Sequence, residues 1–203
     1  MHFAENAKTQ QPWMQFGSTV YQIGSDTIKG ATPDMIADSL SQINRFVGHS
    51  RFPYSVAQHS LHVSDLLKLD AKLEMMGLVH DVAETIVGDR SWPVKRWLSA
   101  EYPYTLEALD GLERAAEAAL FGVLGIPSTW SLDTEAVALV KRADWVAVAT
   151  EKRDVMWSCP RDWDMLPHAP ARVRITRCEA HDAACYWLAQ YRQLAEYLNL
   201  KPY

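Results

Sequence analysis

Apolar residues recur along most of this chain at helical spacing. Ile36, Leu40, Ile43 and Val47 follow one another at steps of four, three and four, the stripe that an amphipathic helix turns towards a core. Thr32-Pro33-Asp34 precedes them with an N-cap, a proline at the first helical position and an early acid. Ser55-Val56-Ala57-Gln58 has the form of a capping box. It opens a second predicted helix that runs to about Leu69, with His59, Val63 and Leu66 on one face. Asp70 caps a third, which buries Met75, Leu78, Val79, Val82 and Ile86 and ends at Gly88. The stretch GDRSWPVKR, punctuated by Gly88 and Pro93, reads as a loop. A helix over 105–124 follows, closed by Gly125-Ile126-Pro127. The next, from about Asp133 to Val155, lines up Val137, Val140, Asp144 and Ala147. A last helix, from about Ala171 to Leu198, is amphipathic through Ala180, Ala184, Trp187, Tyr191, Leu194 and Leu198. Trp13 to Ile23 departs from this period. It mixes aromatic and β-branched residues around Gly17-Ser18 and predicts a short hairpin. The first dozen residues read as a loose tail, and CPRDWDMLPHAP as a connection ordered by Trp163 and Met165. With no repeat and no dividing linker, the expectation is one all-α domain over 1–203 with a small N-terminal β-hairpin. Its core covers about 33–155 and its C-terminal helix about 171–198.

Composition narrows the function classes. At 203 residues, 48% hydrophobic and 22% charged, the chain is long enough and apolar enough to bury a sizeable core. Twenty basic residues against 25 acidic ones leave a net charge of −5, which argues against nucleic acid held by counterion release. A small anionic substrate is compatible with it, because a few local cations suffice. Cys159, Cys178 and Cys185 are odd in number and form no CxxC, which fits a reducing, cytoplasmic setting. The polar start and the lack of a run of about eighteen apolar residues indicate neither secretion nor a membrane span.

Histidine placement is the informative chemistry. Of seven histidines, His59 and His80 fall inside predicted helices among apolar neighbours, and Asp81 follows His80 directly. An imidazole and a carboxylate buried side by side need a compensating partner. A hydrogen-bonded core pair or an arginine is the ordinary one, and a divalent transition-metal ion is another. Asp144, on the apolar stripe of its own helix, raises the same question.

His59, then His80-Asp81, then Asp144, on three separate predicted helices, resembles the H…HD…D signature of the HD-domain superfamily of metal-dependent phosphohydrolases. The surrounding phrases YSVAQHSL, HDVAET, GD followed by PVK, and AD followed by ATEKRD are similar to its 5′-deoxynucleotidase branch. The likeness spans roughly residues 33 to 155.

That resemblance implies an HD-domain helical bundle in which His59, His80, Asp81 and Asp144 hold one divalent transition metal. Two histidines and two aspartates suit Co, Mn, Zn, Ni or Fe alike, and a triphosphate substrate would bring additional Mg. It further implies that Glu84 and Asp89 position or deprotonate the attacking water, that Arg45 meets the substrate phosphate, and that Phe46 forms an aromatic wall at the sugar. Lys95, with His49, Arg51 and Arg96, adds local positive charge from loops. Binuclear relatives need further histidines between the HD pair and the last aspartate, and residues 82–143 contain none. The expected activity is hydrolysis of deoxynucleotides to deoxynucleoside. The first choice is the compact phage-type triphosphohydrolase acting on dATP, and the alternative is a 5′-deoxynucleotidase acting on monophosphates. A non-catalytic, metal-containing nucleotide-binding module is the reading from another class. The aromatic hairpin, with Trp187, Tyr191 and Tyr197 of the terminal helix, is expected to support a homo-oligomer.

Overall fold

The computed structural model describes residues 11–163 and 168–201, so the N-terminal tail and Met165 lie outside it. The chain enters through β1 (Trp13–Phe16) and β2 (Thr19–Gln22), an antiparallel pair with Trp13 opposite Gln22 and Phe16 opposite Thr19. Gly17 turns between them at φ +55, and a β-carbon there would lie 2.7 Å from Met35 Cγ. Phe16 and Tyr21 point inward and are buried.

Helix α1 (Pro33–Gln42) is capped as its sequence predicts, the Met35 amide donating to Thr32 Oγ1 at 3.4 Å, with Ile36 and Leu40 fully buried. Its stripe stops at Gln42 rather than running on to Val47. Ile43 is extended, Asn44 pairs in an antiparallel bridge with Ser55, and the Arg45 amide donates to Tyr54 O at 2.9 Å. Phe46 and Val47 then adopt left-handed backbone at φ 56 and 54, which leaves Val47 68% exposed. The competing strand-like pairing with 54–56 ends the helix.

Helix α2 (Val56–Leu66) starts where Ser55 Oγ accepts from the Gln58 amide at 3.2 Å. His59 and Val63 face the interior, whereas Leu66 does not. Helix α3 (Ala71–Val79) is capped by Asp70, whose carboxylate accepts from the Lys72 and Leu73 amides. The predicted helix to Gly88 is in fact two. Residues 80–83 form tight turns, with Val82 N bonded to Val79 O and Glu84 N to Asp81 O, before α4 (Glu84–Val87). His80 and Asp81 therefore occupy a helix end, not a helix interior.

The loop expected around Pro93 is also helical. α5 (Trp92–Glu101) has Pro93 in its first turn, where a missing amide costs nothing, and it carries Lys95. Helix α6 (Pro103–Leu124) ends at left-handed Gly125, and α7 (Thr134–Asp154) begins where Asp133 accepts from the Ala136 amide at 3.1 Å. Helix α8 (Ala180–Tyr197) starts nine residues later than the pattern suggests, because the backbone of 171–176 is bonded elsewhere. Ala171 N donates to Thr150 Oγ1 and Ile175 N to Asp154 Oδ2, while Ala171 O and Val173 O accept from Arg153 and Thr176 O from Gln58.

One core joins the hairpin, α1, α2, α3, α6 and α8. Trp187 and Tyr191 are buried in it, their polar ends satisfied by Leu78 O at 3.0 Å and Leu124 O at 2.8 Å. These two offer no surface for self-association; of the expected set, Tyr197 on the terminal helix and Trp13 in the hairpin are exposed. α7 packs on α2 and α3 through small residues, Ala136, Ala143 and Ala147 against Met76 and Val63. That close approach brings its acids beside His59. Among the described residues, no helix is long and apolar enough to cross a membrane.

Candidate functional site

Three segments converge on one point. His59 comes from the first turns of α2, His80 and Asp81 from the break between α3 and α4, and Asp144 from the middle of α7. His59 Nε2 lies 3.3 Å from His80 Nε2, 3.3 Å from Asp144 Oδ1 and 3.5 Å from Asp81 Oδ2. His80 Nε2 is 3.2 Å from the same Asp81 oxygen. Adjacent donors on a single ion with bonds of about 2.1 Å stand about 3 Å apart, close to these separations. His59, His80 and Asp81 form a group able to hold a metal ion. Asp144 adjoins it through His59, with its second oxygen 2.6 Å from Lys141 Nζ.

The rings are fixed from behind. His59 Nδ1 is 2.5 Å from Glu151 Oε1, and His80 Nδ1 is 2.8 Å from the Gly77 carbonyl. Each anchor can accept from an Nδ1–H and so turns Nε2 toward the cluster, the orientation that metal-binding histidines use. Two imidazole Nε2 atoms and two carboxylate oxygens then face one another. Such a set is repulsive until a cation or protons enter it.

The electrostatics agree. Burial works against the charge on Asp81, but His80, His59 and Arg45 outweigh it and hold the carboxyl well below the usual range. Asp144 is likewise held low against burial, chiefly by its hydrogen bond to His59. Burial and Arg45 disfavour protonated His59, yet Glu151 and Asp144 push it up to about 9. Glu151 resists its own burial through Arg45 and His59 and falls to about 2. Arg45 is buried, with Nη1 3.5 Å from Asp81 Oδ2 and Nη2 3.3 Å from Glu151 Oε2.

The remaining expected residues divide. Glu84 is not a surface charge. It is 8% exposed, its Oε2 has no hydrogen-bond partner, and burial with Asp81 and Asp89 nearby raises it well above the usual carboxyl value. Asp89 is raised by burial, against the pull of Arg45 and a bond from the Phe46 amide. Phe46 stands beside Arg45, whose guanidinium carbon is 5.4 Å from the ring centre, and 5.9 Å from the Trp163 ring. Lys95 points instead to α6, 3.9 Å from Glu113 Oε1. Glu151 is the residue that the motif reading did not single out. It lies two helical turns beyond Asp144 on the same face of α7, a spacing that could have drawn attention to it.

No protein-family model matches this chain. A curated relative does: an uncharacterized protein of Escherichia coli K12, YfdR, is 35% identical over 136 residues, 67% of this chain and 67% of the relative. Identity of that level over two thirds of both proteins is common descent, and the chain belongs to the family of YfdR.

Proposed function

We propose that this chain is a divalent-metal-dependent phosphohydrolase of the HD-domain type. It cleaves deoxynucleotides at the 5′ ester to release the deoxynucleoside, with a deoxynucleoside triphosphate of the dATP type as substrate and triphosphate as the second product. The observation that carries this reading is the convergence of His59, His80, Asp81 and Asp144 next to an unpartnered, buried Glu84. A divalent ion held there would supply positive charge against the phosphate and acidify water. Glu84, raised well above the usual carboxyl value by burial and neighbouring acids, is suited to proton transfer with the attacking water. Asp89 faces the same centre from the loop after α4. Arg45 keeps Asp81 and Glu151 in register, and its free Nε leaves one donor for a phosphate oxygen. Phe46, between Arg45 and Trp163, would form an aromatic wall at the sugar.

The test is a panel of deoxynucleotides with Co²⁺, Mn²⁺, Mg²⁺ or Zn²⁺, with products separated by chromatography. Triphosphate release from dATP is expected; phosphate release from dAMP alone would move the substrate to the monophosphate. Asp81→Ala is expected to lose bound metal and activity together. Glu84→Gln is expected to keep stoichiometric metal while the rate falls by about 10²–10⁴. Absence of turnover with any ion, alongside a full complement of metal, would replace the enzyme by a nucleotide-binding module.

A further inference from the structure

Arg90 follows Asp89 directly and precedes α5, and its side chain is only 13% exposed. Nη2 meets the Glu113 carboxylate and lies 3.8 Å from Asp110 Oδ1. Nε and Nη1 are buried with no acceptor. A guanidinium carries five N–H donors in a rigid fork, and burying them unmatched is costly. Arg153 shows the contrast, with Nε, Nη1 and Nη2 all engaged by Asp154 and two carbonyls.

The surroundings link Arg90 to the metal centre. Glu113 and Glu117 are four residues apart on α6 and share a face. Burial and Glu113 raise the Glu117 carboxyl, while His80 pulls it the other way, so Glu117 feels the charge of both. Lys95 approaches Glu113 at 3.9 Å. Two cations thus gather on one carboxylate, Glu113, whose side chain is about a third exposed. That carboxylate occupies the place of an anion and is free to exchange for one. α5 flanks the group and buries none of its own residues, so making room costs little packing.

We propose that Arg90, with Lys95, is a polyphosphate subsite. It receives the distal phosphates of a chain whose ester bond lies at the metal centre, in exchange for Glu113, and so sets preference for a triphosphate over a monophosphate. The position of the ester bond rests on the phosphohydrolase reading; the anion site itself does not.

Calorimetric titration of the metal-loaded protein with inorganic tripolyphosphate tests the site without turnover. Arg90→Gln is expected to weaken binding about 10–100-fold, as for loss of charged hydrogen bonds. Glu113→Gln, which removes the competing carboxylate, is expected to tighten it. In steady state, the ratio of kcat/KM for dATP to that for dAMP should fall at least about tenfold in Arg90→Gln. Equal tripolyphosphate affinity in wild type and Arg90→Gln, or an unchanged ratio, overturns the proposal. Should Arg90→Gln fail to fold, an affinity unchanged by Glu113→Gln overturns it equally. If wild type hydrolyses neither nucleotide, the phosphohydrolase reading falls, and the titration still decides the role of Arg90.

Discussion

Both imidazoles of the cluster are aimed by the nitrogen that faces away from it. For His80 the anchor is a backbone carbonyl; for His59 it is the carboxylate of Glu151, fully buried and shared with Arg45. Removing that carboxylate would leave the Arg45 guanidinium with Asp81 as its one remaining acid and the His59 ring free to turn. Glu151→Ala is therefore expected to lower metal affinity about 10–100-fold, measured by titration with Co²⁺ or Zn²⁺, with Glu151→Gln falling between it and wild type. The donors themselves were legible as an ordered set of residue types in apolar surroundings. Glu151 stood in the matching phrase ATEKRD, seven residues after Asp144, but no role was legible for it there. Only the approach of α7 through Ala143 and Ala147 buries it. Arg45 shows the same limit: its charge was legible, but not that Asp81 and Glu151 hold it.

At the scale of elements, caps were read well and breaks were not. Thr32, Ser55 and Asp70 all cap the helices they precede, and Asp133, expected as a helix start, caps its own, since a cap is a local contest between a side chain and the backbone. The end of α3 is different. Apolar residues keep helical spacing through Val82 and Ile86, so periodicity alone predicts continuation. The chain instead winds three residues per turn at 80–83, which sets where Asp81 and Glu84 face. Gly77 connects this break to the packing below it. A β-carbon there would meet Leu67 Cδ1 at 2.9 Å and the Ser64 backbone at 3.2 Å, and the Gly77 carbonyl anchors His80. Gly77→Val is expected to cost about 1–3 kcal/mol, read from urea unfolding, and to weaken metal binding by pushing α3 off α2. The late start of α8 has a tertiary cause as well: side chains of α2 and α7 take up the backbone groups of 171–176.

For the whole molecule, charge is organised more tightly than a net −5 suggests. Asp154, at the end of α7, binds Arg153 through both oxygens, Arg174 at 2.6 Å and the Ile175 amide at 3.0 Å. It thereby ties the segment before α8 to the helix that carries Asp144. The Arg153 bonds first, against some burial, with Ile175 and Arg174 adding, hold its carboxyl far below the ordinary aspartate value. A carboxyl lowered in the folded state gives its stabilisation in full above the unfolded value of about 4, and loses it as pH falls through the folded one. Asp154→Asn is expected to be less stable than wild type at pH 7, by about 1–2 kcal/mol after screening at exposed Arg174. It should lose less stability than wild type between pH 5 and 2, as urea unfolding across that range would show. Of the aromatic residues that sequence placed on the surface of the terminal helix only Tyr197 is exposed, and a further exposed group lies on and after α5, at Trp92, Trp97, Tyr102 and Tyr104. Their neighbours in sequence gave no period that distinguished an outward face from an inward one.

Phe46 and Val47, consecutive left-handed residues with β-carbons, lie in the loop between Arg45 and the bridge to Ser55. Such a conformation costs about 1–2 kcal/mol per residue, which glycine or asparagine would largely avoid. The loop is therefore built for direction rather than endurance. A sequence chosen only for thermal robustness would have settled on different residues here, and Arg45 and Phe46 would then point somewhere else.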